Sequence, residues 1–134
     1  MFETSIKVRG YELDSYNHVN NATYLNYFEQ ARWEIVNKTG LLNFLKEREL
    51  LIVVTEIRIR YKGMAKVFDE LVVKTNIERQ DPYIVFKQSI FNSTLNRKIT
   101  VAEVKTIIID KNSMPVDIPD EMAELYFKSV NENN

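Results

Sequence analysis

From Leu50 the chain carries apolar residues at a period of two through four segments, and before them stands one long segment with helical spacing, about Asn21 to Lys38. A lone helix of about 17 residues is ~25 Å long and must bury its apolar stripe against something. The strands supply that surface. Phe2 to Arg9 alternates, with Phe2, Thr4, Ile6 and Val8 on one face, as a half-buried strand does. Leu51–Tyr61, Glu70–Gln80, Tyr83–Asn92 and Arg97–Asp110 alternate likewise. In the second of these, Leu71, Val73, Thr75 and Ile77 share a face; in the first, Ile57, Ile59 and Tyr61 oppose Glu56, Arg58 and Arg60. Turn chemistry at Gln80-Asp81-Pro82, Asn92–Asn96 and Asp110–Ser113 separates them. The connections after Tyr61 are short, so consecutive strands are expected to pair antiparallel. The expectation is an α+β chain, a five-stranded antiparallel sheet wrapped around one long central helix, with residues 1–134 as a single domain.

Thr39-Gly40 stops the long helix, a second helical segment covers Leu41 to Glu49, and Pro119-Asp120-Glu121 opens a short helix to about Lys128. The tail Asn131 to Asn134 is expected to fray. At ~100° per residue the long helix places Tyr24, Leu25, Phe28, Ala31, Ile35 and Val36 on one stripe, with Arg32 in its middle. A guanidinium there must reach solvent or find a partner. Glu29, three residues earlier, is the nearest candidate.

Composition narrows the chemistry. The three glycines, Gly10, Gly40 and Gly63, are isolated, which excludes a phosphate-cradling loop or a dinucleotide fingerprint, and no serine sits in a nucleophile-elbow spacing. There is no cysteine and one histidine, so thiol catalysis, disulfides and multi-histidine metal sites fall away. Eighteen basic and 19 acidic residues give a net charge of −1 without blocks of either sign, and no nucleic-acid footprint is expected. The first residues, MFETSIKVRG, lack the apolar run of a signal segment, and no run approaches a membrane span. A soluble cytoplasmic protein is expected.

The polar stretch just before the helix is where the remaining chemistry concentrates. Asp14 leads it, followed by the only histidine and a pair of asparagines, His18-Val19-Asn20-Asn21. Asn20 or Asn21 can cap the helix. A helix N-terminus offers unpaired N–H groups and about half a positive charge, and a carboxylate seven residues earlier can fold back across from it. Such a pair suits attack on a carbonyl, the carboxylate acting as nucleophile or as general base.

The full pattern is Asp14, His18-Val19-Asn20-Asn21, Tyr24-Leu25, Tyr27-Phe28-Glu29 and Ala31-Arg32. It resembles the signature of hotdog-fold acyl-CoA thioesterases, above all the 4-hydroxybenzoyl-CoA thioesterase-like, Asp-type group. It is also similar to plant acyl-carrier-protein thioesterases, which have asparagine where Tyr16 stands here. The order of elements and Pro115-Val116-Asp117-Ile118-Pro119 match too. The resemblance implies a hotdog fold and hydrolysis of an acyl-CoA thioester to a carboxylic acid and CoA, without metal or other cofactor. It implies that Asp14 is the catalytic carboxylate, that the Asn21 backbone N–H polarises the carbonyl, and that His18 stands where the plant branch has a catalytic histidine. Tyr24, Tyr61 and Lys62 are candidates for substrate contact. It also implies a homodimer or homotetramer with the site between subunits. The alternatives are an acyl-carrier-protein thioesterase and a non-catalytic acyl-CoA-binding module of the same fold.

Overall fold

The computed structural model describes residues 1–127. Strand β1 (Phe2–Lys7) leads through a short 3₁₀ turn, Gly10–Glu12, and a folded loop into α1 (Asn21–Lys38) and α2 (Leu41–Glu47). Strands β2 (Leu51–Tyr61), β3 (Glu70–Gln80), β4 (Tyr83–Asn92) and β5 (Arg97–Ile109) follow. A two-residue strand β6 (Pro115–Val116) and helical turns over Asp120–Met122 and Ala123–Phe127 complete the described chain. The end of the expected last helix at Lys128 and the tail Asn131 to Asn134 lie outside the described residues.

The sheet runs β1-β3-β4-β5-β2, antiparallel throughout, with β6 against the end of β5. The expected pairing of consecutive strands holds for β3, β4 and β5. It fails for β2 and β3: residues 62–69 carry the chain across the molecule, so β2 becomes one edge, beside β5, and β3 lies next to β1 at the other. Strand β6 was not expected, because it is two residues long and opens with proline, which sits easily only at a strand's start or edge.

Helix α1 packs on one face of the sheet with Tyr24, Tyr27, Phe28, Ala31 and Ile35 buried. The buried stripe is thus centred slightly off the expected one: Leu25 and Val36 are half-buried, and Tyr27 is inside. From the sheet, Leu71, Val73 and Ile77 of β3, Ile90 of β4, and Ile99 and Val104 of β5 meet it. Strand β2, at the sheet edge, meets the helix through Tyr61, whose ring lies edge-on to Tyr24 and whose hydroxyl donates to the Asn21 carbonyl. Its inward residues Ile57 and Tyr61 stay exposed and Ile59 is half-buried. A bulge between Val54 and Glu56 shifts its register.

Arg32 has a different partner from the one the sequence suggested. No ion pair joins it to Glu29 among the described residues; instead its Nη1 donates to Gln88 Oε1 at 3.0 Å. Gln88, buried in the middle of β4, donates in turn to the Phe28 carbonyl at 3.1 Å and to Thr75 Oγ1 at 3.0 Å. Glu29 lies on the exposed side of α1, whereas Arg32 is half-buried. Burial lowers the Arg32 pKa, and the charge of Glu29 offsets part of that. A neutral amide therefore meets the charge that helix spacing assigned to a carboxylate.

Candidate active site

The loop ahead of α1 closes on itself. Leu13 and Val19 form an isolated antiparallel bridge, the Asp14 N–H donates to the His18 carbonyl at 2.7 Å, and the Asn17 N–H to the Asp14 carbonyl at 3.1 Å. The reversal needs one residue at positive φ, and Asn17 supplies it at φ 62°, a conformation asparagine tolerates better than most. Asp14 Oδ1 accepts two backbone N–H groups, from Tyr16 at 2.8 Å and His18 at 3.2 Å. Among the described residues no hydrogen bond uses Oδ2. Asp14 is half-buried, and the loop fixes it through one oxygen.

The loop is docked at both ends. The Val19 N–H donates to the Ala65 carbonyl and the Asn20 N–H to the Glu12 carbonyl, each at 2.9 Å. Asn20 is the helix cap, its Oδ1 accepting from the Ala22 N–H at 2.9 Å. Asn21 is therefore the first helical residue, where a backbone N–H has no acceptor within the helix. Its carbonyl accepts the Tyr61 hydroxyl at 2.8 Å, which ties the end of β2 to the start of α1.

Tyr24 is buried, its ring edge-on to those of Tyr61 at 5.5 Å and Tyr27 at 6.0 Å. Its hydroxyl oxygen accepts the Ala65 N–H at 3.2 Å. Burial, joined by the charges of Asp14 and Asp69, raises the Tyr24 pKa, so the Asp14 carboxylate lies within electrostatic reach of this hydroxyl. His18 is half-buried, and its backbone, not its imidazole, makes the bonds to Asp14. Lys62 is exposed; its backbone N–H donates to the Ile99 carbonyl at 2.8 Å. The fold thus gathers Asp14, His18, Asn21, Tyr24 and Tyr61 around one helix end, with Lys62 on the strand exit beside them.

Two participants escaped the sequence reading, Ala65 and Glu12. Ala65 works through its backbone, which no side-chain pattern reveals. Glu12 is a buried carboxylate three residues after Arg9, and that spacing was its only signal. A cavity of about 410 Å³ lies where α1, α2 and β2 meet, lined by Arg32, Trp33, Val36, Leu45, Leu51 and Val54 among others. A larger one, about 960 Å³, lies between β1 and α1. Neither is lined by Asp14. No group of three or more His, Cys, Asp or Glu among the described residues could hold a metal ion.

Residues 8–125 match the family described as the Thioesterase-like superfamily. The chain belongs to that superfamily. Among superfamily relatives, it is 34% identical over 132 residues to the acyl-CoA thioesterase YbgC of Haemophilus influenzae, covering 93% of each chain. It is 38% identical over 77 residues to the long-chain acyl-CoA thioesterase FadM of Escherichia coli, a match spanning 58% of each chain. The structure superposes on that of YbaW from Escherichia coli, described as a probable thioesterase, with a TM-score of 0.89 at 28% identity, over 98% of this chain and all of the other. The fold is the hotdog fold of this superfamily. No helix among the described residues is long and apolar enough to cross a membrane.

Proposed function

We propose that this protein is a thioester hydrolase that cleaves acyl-CoA to a carboxylic acid and CoA. The observation that carries the reading is Asp14: a half-buried carboxylate anchored through one oxygen by two loop N–H groups, its loop packed against the N-terminus of α1. The names of FadM and YbgC as acyl-CoA thioesterases support it.

In this mechanism the thioester carbonyl oxygen lies at the start of α1, where the Asn21 N–H and the helix dipole stabilise the charge that grows on it. Asp14 acts on the carbonyl carbon in one of two ways. As nucleophile, its free oxygen bonds to that carbon and expels the CoA thiolate, leaving a mixed anhydride that water hydrolyses. As general base, it takes a proton from the water that attacks. His18 orders the loop through its backbone. Tyr61 holds the first turn of α1 through the Asn21 carbonyl, Tyr24 braces the same corner, and Lys62 is placed to meet the polar arm of the substrate. The chain acts as a homo-oligomer, at least a dimer, because β2 is an open edge carrying exposed Leu51, Val54 and Ile57.

A second reading, an acyl-carrier-protein thioesterase, is favoured by 29% identity over 126 residues to ATL2 of Arabidopsis thaliana, named as such; that match spans 92% of this chain and 67% of the relative. Free-thiol release from a panel of acyl-CoAs, short to long and aromatic, with acyl-carrier proteins alongside, separates the two. Release from CoA esters is expected. Turnover of carrier-protein esters alone favours the second reading, and a silent panel with retained acyl-CoA binding favours a non-catalytic module.

A further inference from the structure

Glu12 is a buried carboxylate at the foot of the loop that carries Asp14, and the reaction scheme leaves it unused. Its side chain is saturated with donors. Oε1 accepts the Arg9 backbone N–H at 2.8 Å and the Tyr27 hydroxyl at 2.9 Å, and Oε2 accepts Arg9 Nη2 at 2.8 Å. Its own carbonyl accepts the Asn20 N–H. One residue therefore joins the end of β1, the second turn of α1 and the cap that starts α1.

Between Glu12 and Asn20 lies the whole loop that presents Asp14. Leu13 and Val19 zip its neck, and below that neck the Glu12 side chain fixes where the loop stands relative to the helix. Tyr27 is buried inside α1, so it is a rigid post; Arg9 caps the carboxylate from the solvent side, its guanidinium also lying 5.8 Å from the Tyr11 ring centre. Burial alone would raise the Glu12 pKa, but Arg9, its N–H and the Tyr27 hydroxyl outweigh it and lower it. The charge that holds Arg9 thus stays in place.

We infer that Glu12 is a positioning residue for hydrolysis, a clamp whose bond to Tyr27 sets the Asp14 carboxylate against the N-terminus of α1. The role rests on the thioesterase reading of the site. A loop docked by a short bridge and a few backbone bonds at its neck could shift by an ångström without unfolding, and a shift of about 1 Å can cost on the order of 100-fold in rate. The clamp acts on the reacting geometry, not on substrate capture.

The test is steady-state hydrolysis of an acyl-CoA by the full chain in the parent, Glu12→Gln and Tyr27→Phe, each also combined with Asp14→Asn. Both single variants should lower kcat by about tenfold with KM within about twofold, part of the cost that misplacement can impose. That loss should vanish in the Asp14→Asn background, because coupled residues are non-additive. An unchanged kcat, a KM effect alone, or a loss that persists in full without Asp14 overturns the inference. If Glu12→Gln does not fold, Tyr27→Phe, which removes one oxygen, decides alone. A parent that hydrolyses no thioester overturns the enzyme reading and Glu12's role in turnover with it, whereas an active parent with indifferent variants overturns the clamp only. Amide exchange over residues 14–20 adds a readout independent of turnover: it should quicken in both variants while β3 and β4 keep their protection, and an unaltered loop overturns the clamp.

Discussion

At Asp14 the two carboxylate oxygens stand in different surroundings, and the difference shapes what a substitution does. Oδ1 is consumed by the turn it forms with Tyr16 and His18, so Asp14→Asn, which keeps an acceptor there, should leave the melting temperature unchanged. Turnover should fall by at least ~100-fold, the lower range for loss of a positioned base. His18→Ala should cost less, since the loop uses the backbone of that residue. Near-normal thiol release from folded Asp14→Asn would remove Asp14 from the mechanism. At Glu12 the expectation concerns acid. Its native pKa is lowered, burial being outweighed by Arg9 and Tyr27, so the stability it adds is present above the ordinary carboxylate range and lost as pH falls through the lowered native value. The melting-temperature gap between the parent and Glu12→Gln should therefore be widest near neutral pH and narrow as acid takes the solution below the ordinary carboxylate range. A gap that widens in acid contradicts the paired carboxylate. The motif drew attention to Asp14 through its side chain, and the structure places that side chain in the loop ahead of α1. Nothing in the motif drew attention to Glu12, since its role depends on Tyr27, 15 residues away in sequence.

Helix α1 shows how far element-level reading carries. Its span, its cap and most of its buried face follow from spacing and from Asn20. What spacing could not supply was the sheet beneath it. Helical neighbours are visible in one dimension, whereas Gln88 reaches Arg32 from β4, 56 positions along the chain. The partner is neutral, which changes the expected energetics: removing Arg32 orphans an amide oxygen rather than a carboxylate. Arg32→Met should cost about 1–3 kcal/mol, the range for one unsatisfied buried acceptor. Gln88→Leu should cost more, because it strands a half-buried guanidinium. The double variant should cost less than the sum, since the two share one bond. Chemical denaturation of the four proteins measures this, and strict additivity would show that the Arg32–Gln88 bond contributes nothing.

For the whole molecule, local patterning revealed the strands but not their order. Alternation marks a strand and its faces; adjacency is decided by where a connection goes, and residues 62–69 cross the molecule while the later turns do not. That crossing makes β2 an edge and explains why its apolar residues are uncovered. Leu51, Val54 and Ile57 are exposed on this edge, with Trp33 of α1 exposed as well. An edge strand with unpaired backbone and apolar side chains invites pairing with another chain, and a two-fold assembly would present this same edge from both copies. The other end of β2 carries Tyr61, bonded to the Asn21 carbonyl, so what β2 packs against bears on the site. Light scattering at micromolar concentration should therefore find a dimer or larger. Introducing charge on the edge with Val54→Glu and Ile57→Glu together should shift the protein toward monomer and lower hydrolysis in proportion to the monomer formed. Activity that tracks the oligomer fraction across a dilution series places the functional unit above the single chain; a stable, fully active monomer would show instead that one hotdog fold encloses all the site requires.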